Sequence, residues 1–150
     1  MNPTIIKRGA MIIAGLSGGG DKTGELWSAF DKLREETPLA GKLSDDGYEV
    51  RVYSGEECTV HVGFAVSDAS VDSAFETRAL PESEYAAFDV YAANGYDSEN
   101  DAMNEWLAAN GIYAERRLGQ AQYCVEYYGE RFNSNEPDSV VEIWIPVERK

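Results

Sequence analysis

The chain is poor in the residues that build metal and nucleophile sites. It has one histidine, His61, and two cysteines, Cys58 and Cys124. Neither the His/Cys clustering of a zinc site nor a Ser-His-Asp or Cys-His arrangement stands out, so no metal and no cofactor are expected. Both cysteines fall in strand-like segments, which suits two buried free thiols better than a bridge. Positive charge is scarce as well: 13 basic residues stand against 27 acidic ones, for a net charge of −14. Such a field repels nucleic-acid phosphates and attracts cations or a basic protein surface, so no direct nucleic-acid binding is expected and a protein partner stays open. Long apolar runs are missing too. None approaches the roughly 20 residues of a membrane helix, and the N-terminal stretch IIKRGAMIIAGL is broken by Lys7, Arg8 and Gly9. It reads as a strand and not a signal peptide, which points to a cytoplasmic chain.

What is present is a folding pattern. With 150 residues and 43% hydrophobic content the chain suits one globular domain, 1–150. The spacing predicts a strand at 9–16, then SGGGD as a loop. That glycine run lacks the spacing of a phosphate-binding loop. Leu26, Trp27, Phe30 and Leu33 recur at helical intervals, giving a helix from Thr23 to about Glu36 that Pro38 ends. GYEVRVYS and CTVHVGFAVS then form a hairpin, and SAFETRAL and EYAAFDVYA form a second across Pro81-Glu82-Ser83. NGYDS reads as a turn leading into a capping box, Ser98 with Asp101. A second helix runs from about Glu99 to Ala109, with Met103, Trp106 and Leu107 on one face. QYCVEYYGE and VVEIWIPVE close the chain around the loop NSNEPDS. The fold class is therefore α+β: antiparallel strands in two related strand-helix-strand-strand modules, about 9–67 and about 84–148. This is an internal duplication in architecture that leaves a groove between the halves, with Trp27 and Trp106 as core residues.

Six stretches, in order, carry a resemblance: GELWSAFDKL, VHVGFAV, ALPESEYAAFDV, NEWLAANGIYAERR, VEYYGERF and VEIWIPVERK. Together they resemble the gyrase-inhibitory-protein-like (GyrI-like) family, which shares its fold with the effector-binding domains of AraC-type and MerR-type multidrug-sensing regulators. The resemblance implies a pseudo-twofold pair of modules around a groove that takes lipophilic, often cationic, compounds on aromatic side chains and a central acidic residue. It also implies a stand-alone form without a DNA-binding domain. Relatives include drug-binding proteins, gyrase inhibitors, and hydrolases of cyclopropane-bearing genotoxins. Val60, His61 and Ala65 depart from the family pattern and alter one wall of the expected cleft.

Strand alternation proposes the site. In VEIWIPV, Val141, Ile143, Ile145 and Val147 share the face expected to meet the helices, and Glu142 and Trp144 the other. If Val125 packs under a helix, Glu126 and Tyr128 join Glu142 and Trp144 on the groove face. Tyr85, Ala87, Asp89 and Tyr91 alternate against Ala86, Phe88 and Val90. The candidate ligand-binding residues are thus Glu126, Tyr128, Trp144, Tyr85, Tyr91, His61 and Glu142. Rings and carboxylates together suit a lipophilic cation. Glu126 is then the cleft's charge, or else it pairs with Arg116, Arg117 or Arg131. As an enzyme the protein would use Glu126 as a general base on an electrophilic small molecule; gyrase inhibition would use the acidic field instead.

Overall fold

The computed structural model describes residues 2–91, 97–133 and 138–150. The chain runs β1 (Thr4–Arg8), β2 (Met11–Gly19), a 3-10 turn (Gly20–Lys22), α1 (Thr23–Glu36), β3 (Gly47–Ser54), β4 (Glu57–Val66) and β5 (Glu76–Leu80). It continues with β6 (Ser83–Tyr91), α2 (Asp97–Ala109), β7 (Tyr113–Glu115), β8 (Gln122–Tyr128) and β9 (Val140–Arg149). The strands form one antiparallel sheet in the order β1-β6-β9-β8-β3-β4-β2-β5, with β7 also on β9. The triplets β6-β9-β8 and β2-β4-β3 mirror each other about the central β3–β8 pair. Each triplet has its helix between its first and second strands in sequence. This is the duplicated α+β architecture that the sequence predicts. No helix among the described residues is long and apolar enough to cross a membrane.

Several local expectations differ. IIKRGAMIIAGL is two strands, because Gly9-Ala10 lets the chain cross from β6, where β1 pairs, to β4 and β5, where β2 pairs. The glycines of SGGGD extend β2 to Gly19 and then enter the 3-10 turn. The hairpin expected around Pro81 does not form: β5 pairs with β2, while β6 pairs with β1 and β9. Phe75, expected in that strand, is buried with α1, its ring 6.0 Å from that of Phe30. Residues 94–96 of the expected turn, the side chain of Ser98 that its capping box needs, and residues 134–137 of the loop at 133–139 lie outside what the structure describes.

Both faces of the sheet carry packed apolar clusters. Phe30, Leu26, Trp27 and Leu33 of α1 pack on Val60, Val62 and Phe64. Met103, Trp106 and Leu107 of α2 pack on Ala86, Phe88, Val90, Ile143, Ile145 and Val147. On the opposite face Ile13 and Leu80 from one end of the sheet join Tyr85 and Trp144 from the other in one cluster. The sheet therefore curls until its ends meet. The short links at Gly9-Ala10 and Pro81-Glu82 bridge those ends.

The curl needs close strand crossings. Gly15 faces Gly63, and a Cβ on Gly15 would sit 1.7 Å from the Val62 carbonyl oxygen. Gly15→Ala should therefore push β2 off β4 and cost about 2–3 kcal/mol, a typical overpacking loss, measurable by urea unfolding. An unchanged midpoint would contradict the close approach. Cys58 and Cys124 are free. They lie on β4 and β8 with β3 between, opposite Tyr53 and Arg51 respectively, so they are more than two strand spacings, or roughly 10 Å, apart and beyond disulfide reach.

Candidate functional site: a charged cleft between the helices

Each helix covers its own triplet, so the middle of the helix-bearing face, along β3 and β8, is left open. Cross-strand partners share a face in an antiparallel sheet. Glu126 pairs with Glu49 on one side and Ile143 on the other, and Cys124 pairs with Arg51. These side chains floor a cleft of about 370 Å³ whose walls include Thr23 of α1, Asn100 of α2, Tyr53 and Tyr128. A second hollow of about 270 Å³ shares Tyr53, Asn100, Cys124 and Ile143 and runs on under Met103 and Asn104.

The floor is an ordered charge network. Arg51 donates from Nε to Glu126 Oε2 at 2.5 Å and from Nη2 to Glu49 Oε1 at 3.0 Å. Nη2 also reaches Thr23 Oγ1 at 3.0 Å, and Nη1 reaches the Gly20 carbonyl at 3.4 Å. The other oxygen of each carboxylate is held by an aromatic donor. Trp27 Nε1 donates to Glu49 Oε2 at 2.7 Å, and Tyr128 Oη donates to Glu126 Oε1 at 3.1 Å. The Trp27 and Tyr128 rings meet edge to face at 6.4 Å, and Phe132 lies 4.8 Å beyond Tyr128. Burial, then the charge of Glu49, raises the Glu126 carboxyl above its ordinary value of 4.5, against the pull of Arg51 and Tyr128. Burial would lower the Arg51 guanidinium, but Glu126 and Glu49 outweigh it and hold it firmly charged. The Cys124 thiol is pushed up to about 12, chiefly by burial and then by Glu126, which makes it a poor nucleophile.

The seven sequence candidates do not come together. Val125 pairs with Trp144, and Glu126 pairs with Ile143. Glu126 and Tyr128 therefore lie on the helix-bearing face, and Trp144 lies on the other. Alternation separates the faces of a strand but does not say which one a helix covers, and here both are buried. Trp144 has no exposed surface and stacks on Tyr127 at 5.1 Å; its Nε1 donates to Glu142 Oε1 at 3.1 Å. Glu142 in turn pairs with Arg131 at 3.1 Å. Tyr85 is buried on that same face, its hydroxyl 3.1 Å from that of Tyr123. Tyr91 is exposed near the end of β6. His61 is buried, shares Val50's face and donates from Nε2 to the Ile13 carbonyl at 2.8 Å. Burial lowers its pKa, so it is neutral. Glu126's partner is Arg51 and not Arg116, Arg117 or Arg131.

Sequence reasoning missed Glu49, Arg51 and Thr23, and it placed Trp27 wholly in the core. A signal for the first two existed. In GYEVRVYS the polar residues Glu49, Arg51 and Tyr53 alternate with Tyr48, Val50 and Val52, marking a second strand with charge on one face. Among the described residues, no group of three His, Cys, Asp or Glu side chains is placed to hold a metal ion.

Two mirrored modules in one curled antiparallel sheet thus leave a helix-walled cleft at their junction. The chain belongs to the GyrI-like small-molecule binding domain family, whose pattern it matches over residues 1–148. Its fold is similar to that of SAV2435 bound to tetraphenylphosphonium, with a TM-score of 0.74 at 11% identity over 99% of this chain and 94% of that one. It is also similar to the EcmrR C-terminal domain, with a TM-score of 0.71 at 12% identity over 99% of this chain and 98% of that domain. In an EcmrR–DNA complex the TM-score is 0.74 at 11% identity, and the match covers 99% of this chain but 58% of EcmrR. No curated protein sequence matches the chain.

Proposed function

We propose that the cleft binds apolar organic cations, with Glu126 and Glu49 supplying the charge and Tyr128 and Tyr53 the aromatic surface. The observation that carries this reading is the floor itself. Two buried carboxylates face one guanidinium, which leaves one negative charge uncompensated beside aromatic edges. A cation about 4 Å from that charge gains roughly 4 kcal/mol at an effective dielectric near 20. An aromatic face adds about 0.5–2 kcal/mol. The tetraphenylphosphonium on SAV2435 supports this class of ligand. A second reading, hydrolysis of an electrophilic ligand with Glu126 as base, draws on the raised Glu126 carboxyl and the Tyr128 hydroxyl beside it. The 2.5 Å pairing with Arg51 opposes it by occupying the oxygen a water would need.

Glu126→Gln tests the first reading. It keeps the shape and leaves Arg51 balanced by Glu49 alone. By calorimetry, tetraphenylphosphonium should bind more weakly by about 1.5–3 kcal/mol, the range for a lost charged interaction, and a neutral aryl analogue nearly as before. In the parent protein, cation affinity should fall as pH drops through the raised Glu126 pKa, above 4.5, because protonation removes the charge. Equal binding of both ligands by parent and variant would overturn the reading. Release of a hydrolysed product from an electrophilic analogue, abolished in Glu126→Gln, would favour the second.

A further inference from the structure

The ligand cation proposed above would enter a floor that already holds a cation. Arg51 lies between the two carboxylates, with 19% of its side chain exposed against 4% for Glu49 and 11% for Glu126. It therefore sits on their open side. The four carboxylate oxygens divide evenly. Glu49 Oε2 and Glu126 Oε1 are fixed by Trp27 and Tyr128, while Glu49 Oε1 and Glu126 Oε2 are held by Arg51. If the guanidinium leaves, both carboxylates stay oriented, and two convergent acceptors are presented to the cleft. The guanidinium also has somewhere to go. Its other contacts are the Thr23 hydroxyl, at the start of α1 on the cleft wall, and the Gly20 carbonyl in the 3-10 turn that leads into it.

We propose that Arg51 is a tethered occupant of the cation position, which a ligand displaces toward Thr23 and Gly20. The inference rests on the preceding reading and narrows its ligand class. The head that replaces a guanidinium is a planar cation carrying N–H donors, an amidinium or guanidinium on an aryl body. A quaternary cation supplies charge but no donor, and it leaves two sheltered acceptors unfilled, which costs affinity. Internal occupancy also lowers the affinity of every cation by the fraction of molecules in which the carboxylates are free.

Calorimetric titration of the full chain tests this with two cations on one biaryl body, 4-phenylbenzamidinium and 4-phenylbenzyltrimethylammonium. The parent should bind the amidinium about tenfold more tightly. Arg51→Ala should bind both at least tenfold more tightly than the parent does, the gain expected if the open form is a tenth of the population or less. Ethylguanidinium, which refits the slot left by the side chain, should compete with both cations in Arg51→Ala but not in the parent. Should Arg51→Ala not fold, Glu49→Gln/Arg51→Met carries the test. It removes one negative and one positive charge, so the floor keeps its net charge, and tighter binding then reports the lost competitor alone. Cation binding that depends on Glu126 but is equal or weaker in these variants, with no competition by ethylguanidinium, would overturn the role of Arg51 and leave the cleft reading standing. Equal affinity for the two cations in the parent would overturn the ligand class. Absence of cation binding in the parent and in both Arg51 variants would overturn the cleft reading and this inference with it.

Discussion

Trp144→Ala should lower the unfolding free energy by about 3–5 kcal/mol, the range for truncating a large aromatic in a core. It should leave the cation affinity of the remaining folded protein nearly unchanged. Trp144 is the largest side chain with no exposed surface. It stacks on Tyr127 with an interplanar angle of 27°, meets Tyr48 edge-on at 6.0 Å and leans on Tyr85 at 5.7 Å. The Arg8 guanidinium lies 4.9 Å above its ring. Arg8 belongs to β1 and Tyr48 to β3, so one indole links the edge of the sheet to its centre across the curl. Its N–H also steadies Glu142, which shares Arg131 with Asp89. Truncation opens a void bounded by rings from three strands, none of which can collapse without moving its neighbours. Urea unfolding and calorimetry on one sample separate the outcomes. Unchanged stability with tenfold weaker cation binding would return Trp144 to the cleft.

That residue also shows how far the sequence could be read. Apolar alternation in β9 correctly puts Ile143, Ile145 and Val147 under a helix, because α2 supplies Met103, Trp106 and Leu107 at matching helical spacing. The same reasoning fails for β8. Its two faces read Tyr123, Val125, Tyr127 and Cys124, Glu126, Tyr128, and the more apolar first set invites a helix above it. The helix is on the other side, and the apolar set faces the core made by the curl. A curl of this kind depends on strand pairs far apart in sequence, such as β1 with β6, and local periodicity carries no record of them. Glu126 was legible as an anomaly, a carboxylate inside an aromatic strand. Its partner was not, since Arg51 lies 75 residues away and meets it through the β3–β8 register.

Removal of Arg51 without compensation should be among the most damaging single changes. Arg51→Met keeps much of the side-chain bulk but leaves Glu49 and Glu126 facing each other across one strand pair, both sheltered from water. Breaking a buried ion pair by deleting one partner costs about 3–5 kcal/mol, because the remaining charge is uncompensated. Near neutral pH the variant should show a loss of that order. The loss should shrink on acidification, and the direction follows from Glu126. Burial and Glu49 hold its carboxyl above 4.5 even with Arg51 beside it. Without the guanidinium the folded-state value climbs further, whereas the unfolded value stays ordinary. The folded variant therefore binds more protons than the unfolded chain, and its stability falls as pH rises from 4.5 through the raised value. Unfolding followed at pH 4.5 and at pH 7.5 should show parent and variant closer together at the acid end. Adding Glu49→Gln and Glu126→Gln to Arg51→Met should recover most of the loss at pH 7.5, since no buried charge is left unpaired. A loss that is the same at both pH values and persists in the triple variant would mean that Arg51 matters for packing along its methylene stem and not for its charge.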